Sequence, residues 1–162
     1  MGQKLNATRK GLLTGFIMIG LSLGLYYSGQ QFESPLQFII YLLYAAGVIW
    51  SIYSFSRSEQ NDNKFGSYFL QGFRCFIVVT LLMVVFTIVF NKMHPEFGDQ
   101  MAEAYKKELE KTKNKTPAEV IAEANKMKNY YLPMLISGAV FGYLIIGAVV
   151  SAVASFLFMK RK

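Results

Sequence analysis

Residues 91–131 read NKMHPEFGDQMAEAYKKELEKTKNKTPAEVIAEANKMKNYY, the one long hydrophilic segment of an otherwise apolar chain. Between Pro95 and Lys113 the apolar residues Phe97, Met101, Tyr105 and Leu109 recur at every fourth position. That spacing lines them along one side of an α-helix and leaves the charged residues on the other. Pro95 suits a first helical position, where no amide proton is needed, and Glu96 and Asp99 put negative charge in the first turn, where the helix dipole favours it. Thr116-Pro117-Ala118-Glu119 reads as a capping box that opens a second helix. Its apolar positions Val120, Ala124, Met127 and Tyr131 again share a face, with Ile121 beside them, and Lys113-Asn114-Lys115 is left as the turn. The segment is therefore expected to be an amphipathic helical hairpin at a bilayer surface. Its stripe of Phe97, Met101, Tyr105, Leu109, Val120 and Met127 either packs on itself over the membrane bundle or serves as an interaction face. Seven acids nearly balance eight lysines, which gives little support to electrostatic binding of lipid.

Outward from this segment the chain reads as membrane. Of its 162 residues 53% are hydrophobic and 17% charged, and the charge is segregated, so long runs are almost free of ionisable groups. The net charge of +7 is no sign of nucleic-acid binding. Outside the hydrophilic segment the basic residues cluster at Lys4, Arg9, Lys10, Arg57, Lys64, Arg74 and Lys160-Arg161-Lys162, beside the ends of the apolar runs. Cys75 is the sole cysteine, which excludes an internal disulfide.

The expected fold is all-α: a single integral membrane domain over residues 1–162, with transmembrane spans at about 11–27, 36–55, 69–90 and 132–159 and an extracytoplasmic hairpin at 91–131. The first run follows basic residues as a signal peptide does. Tyr26-Tyr27-Ser28-Gly29-Gln30 offers no small-x-small cleavage pattern, however, and paired tyrosines suit an interfacial belt, so it is kept as a span. Ser34-Pro35-Leu36-Gln37 is a helix-start signature for the second. Pro133 lies where the second hairpin helix meets the last span, and a kink is expected there. An even number of spans puts both termini on one side, and Lys4, Arg9, Lys10, the turn at 57–64 and the lysine-rich end make that side cytoplasmic.

Small residues concentrate in two spans: Gly11, Gly15, Gly20 and Gly24 in the first, and Gly138, Gly142, Gly147, Ser151 and Ser155 in the last. Spacing of the G-x-x-x-G kind lets helix backbones approach closely, so span one is expected to pack on span four. Arg74 is the one charge well inside a predicted span, near its cytoplasmic end, where its guanidinium can reach water; Gln71, one turn earlier, is placed to hydrogen-bond it. His94 is the only histidine. The sequence contains no HExxH, CxxC, P-loop or nucleophile elbow, and no carboxylate lies inside a span, which leaves no catalytic, cofactor or metal assignment.

The order of features (Lys64-Phe65-Gly66-Ser67, then Gln71-Gly72-Phe73-Arg74, a long span, His94-Pro95-Glu96-Phe97, a Lys/Glu-rich segment, Thr116-Pro117-Ala118-Glu119 and a Gly-rich last span) resembles the small four-span bacterial membrane proteins grouped as domain of unknown function 4199. The resemblance implies a protein of the bacterial inner membrane and supplies no activity, cofactor or site. The functional expectation is a non-enzymatic structural or interaction subunit that meets the lipid bilayer and a membrane or periplasmic protein partner or a second copy of itself, with no nucleic acid. The alternative is a small oligomeric carrier or channel. An intramembrane enzyme ranks below both, because no constellation of serine, histidine and carboxylate is visible.

Overall fold

The computed structural model describes residues 6–28, 34–59, 62–112 and 116–160. Among them are five α-helices and no strand: α1 Ala7–Tyr27, α2 Ser34–Ser56, α3 Phe65–Met93, α4 Glu96–Thr112 and α5 Pro117–Lys160. Four of these, α1, α2, α3 and α5, are long and apolar enough to cross a membrane. The turn expected at residues 113–115 lies outside the described residues, as do positions 1–5 and 161–162 and the side chains of 34–37.

The chain divides into two compact units, one of Met1–Met83 with Val140–Lys162, the other of Val84–Ala139. In the first, each helix turns a face of small or well-fitting residues inward. On α5 the inward positions are Tyr143, Gly147, Ser151 and Ser155. The exposed positions Phe141, Ile145, Val149, Val153 and Leu157 form a bulky apolar stripe on the other side. A soluble helix would reverse that arrangement. In lipid there is no hydrophobic drive between helices, so association rests on close packing, which small inward residues permit.

The interior is filled by side chains one helical turn apart. Tyr44, Val48 and Ile52 on α2 are fully buried, as are Tyr68, Cys75 and Val79 on α3 and Met18 on α1. Glycines set the closest approaches. A Cβ on Gly11 would stand 2.7 Å from the Cys75 carbonyl oxygen, so α1 and α3 meet backbone to backbone there. One on Gly72 would stand 2.5 Å from Ser151 Oγ, and one on Gly47 would run into the Thr14 side chain. Gly147 leaves room for the Tyr44 hydroxyl and for Phe76, whose Cγ would lie 2.7 Å from an added Cβ. Through that gap the Tyr44 hydroxyl donates to the Tyr143 carbonyl oxygen at 2.8 Å, out of contact with solvent. The Cys75 thiol is directed at the Gly47 carbonyl, 3.7 Å away, and is also sealed inside.

The helix bounds add to the expectations, and the glycine contacts correct one. The helices run past the apolar stretches: α1 begins at Ala7 and α3 at Phe65, because backbone hydrogen bonding continues through polar residues once a helix is nucleated. The helix that starts at the capping box runs on into the last span as one helix of 44 residues with Pro133 inside it, as the position of Pro133 anticipates. One turn further on, the Ser137 hydroxyl donates back to the Pro133 carbonyl at 2.8 Å. The glycines, finally, do not form a seam between α1 and α5. Gly11 and Gly15 face α3, where Leu82 Cδ1 would lie 2.7 Å from a Gly15 Cβ, and Gly147 faces α2 and α3. Gly20, Gly24, Gly138 and Gly142 have nothing within 4 Å of the Cβ position, so none of them marks a close approach within the chain.

The connection from α2 into α3 is fixed by Asp62. Its carboxylate accepts from the Ser67 hydroxyl at 2.9 Å and from the Lys64 amide at 3.3 Å, while Asn63 takes the left-handed backbone conformation at φ 54°. The Ser67 hydrogen bond is the main reason that the Asp62 carboxyl is held below its ordinary range.

Unequal glycine substitutions test this packing. Gly147→Val is expected to destabilise the protein by about 1–3 kcal/mol, the cost of overpacking a filled interior, whereas Gly20→Val should stay within about 0.5 kcal/mol. Tyr44→Phe keeps the ring and deletes the hydroxyl, and should cost about 0.6–1.7 kcal/mol. Thermal unfolding in detergent, followed by scanning calorimetry, ranks the three.

Candidate functional site

In the first unit a cavity of about 570 Å³ opens where α1 begins, α2 ends and α3 enters. Its chemistry follows from helical spacing. Lys10 shares the inward face of α1 with Thr14 and Met18, at intervals of four, and is only 6% exposed. Its ammonium lies 5.5 Å from the centre of the Trp50 ring, a cation–π contact. From α3, Gln71 and Arg74 line the same cavity, and Ser51 and Ser54 contribute from α2. The Ser51 hydroxyl donates to the Gln71 backbone carbonyl at 3.2 Å, which ties α2 to α3 beneath the opening. Glu59 is the one carboxylate of the lining and is exposed. Among the described residues neither Lys10 nor Arg74 has a carboxylate partner, and no hydrogen bond joins Gln71 to Arg74.

The second unit holds the other candidate face. Phe97 stacks on Phe90 with ring centres 6.0 Å apart, and the His94 ring lies beside the pair, 4.7 Å from Phe90 and 5.8 Å from Phe97. His94 Nδ1 is 2.7 Å from Glu96 Oε1. The Glu96 carboxyl is held below its ordinary range first by its own backbone amide and then by His94. Asp99 of α4 pairs with Lys128 of α5, and Gly98 lies close to the Tyr131 ring. Further along α4, Tyr105 meets Glu123, Lys126, Met127 and Tyr130 of α5 around a groove of about 420 Å³. At the start of α5 the Thr116 amide and hydroxyl both donate to Glu119 Oε2 at 2.8 Å, and the Glu119 amide donates back to Thr116 Oγ1 at 3.4 Å. That reciprocal pair is a capping box.

The family described as protein of unknown function (DUF4199) matches residues 9–160. The chain belongs to that family. No curated protein and no solved structure matches it.

In this DUF4199 chain the residues singled out from sequence divide between the two faces. Gln71 and Arg74 stand at the cavity, with Arg74 exposed. Of the amphipathic stripe, Val120 is 4% exposed and so is already covered inside the unit; it is withdrawn from the interaction face. Phe97, Tyr105, Leu109 and Met127 are half-buried, and Met101 remains exposed. Lys10, Trp50 and Ser51 are not singled out by any local sequence motif, because a lysine beside the start of an apolar run has the position of a topology charge. The signal that finds it is its register with Thr14 and Met18, which places a cation on a packed face.

The Glu96 pairing predicts a pH dependence. A carboxyl whose folded-state pKa is depressed stabilises the fold above its ordinary range, and that contribution is lost as pH falls through the lowered value. Acidification below the ordinary carboxylate range should therefore loosen the first turn of α4, seen as faster amide exchange at Phe97 and Gly98. Glu96→Gln should remove most of that acid sensitivity.

Proposed function

We propose that this DUF4199 member is a non-enzymatic subunit of the bacterial inner membrane that crosses it four times. Both termini are cytoplasmic, and α4 with the first turns of α5 forms a periplasmic helical hairpin that engages a protein partner. The observation that carries the reading is the unequal burial of the amphipathic segment. Val120 and Ala124 are covered within the unit, while Met101 and Ile121 remain exposed, as does Tyr130 at the rim of the groove lined by Tyr105 and Met127. The segment thus has an inner face that gives it shape and apolar side chains left over. Each large apolar side chain is worth roughly 1.5–3 kcal/mol when fully buried, against about 0–1 kcal/mol for an exposed lysine–glutamate pair. Contacts of the hairpin should accordingly depend on its apolar residues more than on its lysines.

The filled interior of the first unit supports this reading over a carrier or channel. Tyr44, Val48, Ile52 and Val79 occupy the space between helices that a conduit needs. Orientation rests on the distribution of lysine and arginine, and location on the family resemblance.

Two experiments test the proposal. In a Cys75→Ala background, Lys111→Cys should react with an impermeant thiol reagent in cells whose outer layer has been opened, and Lys64→Cys should not; the opposite pattern rejects the orientation. Cross-linked complexes recovered from native membranes should be lost on Met101→Ser with Tyr105→Ser. They should survive Lys106→Gln with Lys107→Gln, and the reverse dependence points instead to lipid or an acidic partner.

A further inference from the structure

We infer that the cavity between the first turns of α1, the last turns of α2 and the Gln71–Arg74 turn of α3 is a binding site for a phosphate group, with Lys10 and Arg74 as its charged ligands. The inference is independent of the hairpin and of the proposed partner. It begins from Lys10, which is more than nine-tenths buried yet has no carboxylate partner among the described residues. A buried ammonium is normally paired, because removing it from water without a counter-charge is costly. The Trp50 ring face offsets part of that cost and leaves the positive charge uncompensated.

Further donors at the opening suit an anion. Arg74 adds a second cation, whose planar fork binds two oxygens of a phosphate at once. The Ser54 hydroxyl and the Gln71 side-chain amide supply neutral donors in the same lining. Glu59 is the one acid there among the described residues, whose side chains give the lining a formal excess of one positive charge. The volume of about 570 Å³ holds a phosphate with several waters or with the glycerol end of a lipid.

Depth narrows the source. Lys10 is the fourth residue of a helix apolar and long enough to span a bilayer, and Trp50 has the amphipathic ring that settles at headgroup level. Basic pockets between transmembrane helices at that depth take lipid headgroups. A phosphodiester headgroup and free inorganic phosphate share the same ligand chemistry, and the experiment separates them.

The full chain would be purified in maltoside micelles, which contain no phosphate, and its thermal midpoint titrated with phosphatidylglycerol, with diacylglycerol as the phosphate-free lipid, and with inorganic phosphate. Phosphatidylglycerol is expected to raise the midpoint where diacylglycerol does not, with an apparent affinity that falls about tenfold in Lys10→Met and in Arg74→Gln, as loss of a charged hydrogen bond requires. Lys10→Arg should retain the response, and Lys160→Gln should leave it unchanged. A saturable response to inorganic phosphate with the same dependence on Lys10 and Arg74 would support the site with the free anion as its ligand. Lys10→Met also separates binding from packing: without added anion its midpoint should equal or exceed that of the unaltered protein. A midpoint lowered equally with and without lipid would make Lys10 a packing residue and overturn the inference. So would a phosphatidylglycerol response that is the same in the unaltered protein, Lys10→Met and Arg74→Gln.

Discussion

A polar group placed in hydrocarbon is costly unless it finds a partner within the protein, and the contact between Tyr44 and Tyr143 shows what that partner demands of the surrounding helices. The Tyr44 hydroxyl reaches the Tyr143 carbonyl oxygen only because position 147 carries no side chain. An unsatisfied hydroxyl there would cost about 1–3 kcal/mol, more than the hydrogen bond contributes when made. Gly147 is thus retained for the neighbour that it admits. The same requirement recurs at Ser51, whose hydroxyl is taken up by the Gln71 carbonyl, and at Ser137, which bonds back to Pro133.

Solvent imposes the second pattern. Phe141, Ile145, Val149, Val153 and Leu157 would drive aggregation in water, yet in lipid they are the unremarkable outer wall of a helix. With greasy residues free to face outward as well as to fill the interior, small and polar ones can take inward positions beside them. That is why a lysine can occupy an inward position on α1 at all, provided that an opening reaches it.

The membrane helices were legible because a long apolar run has few alternatives once it exceeds the length of a soluble strand or helix. The capping box at Thr116 to Glu119 was legible because its two side chains satisfy each other's amides locally, without help from the tertiary fold. What distant contacts decide was not legible. Spacing such as that of Gly11 and Gly15 tells that one face of a helix is smooth, but the identity of the helix that comes to lie on it depends on the whole bundle. Gly47 and Gly72 have no small partner four residues away except serine or nothing at all, and still mark close approaches. The continuity of α5 was legible in part: Pro133 marks where the charged and apolar segments meet, and backbone hydrogen bonds are indifferent to that change of composition. The cationic cavity draws its residues from three helices, so no local pattern announces it.

Cys75 gives the bundle a reporter of its own motion. Its sulfur is fully enclosed and faces the Gly47 carbonyl of α2, so a thiol reagent can reach it only during moments when the helices packed around it move apart. With the lone thiol of the described chain in that position, the rate at which the native protein consumes a small membrane-permeant reagent becomes a clock for those openings. No engineered probe is then needed to time how often the interior is exposed.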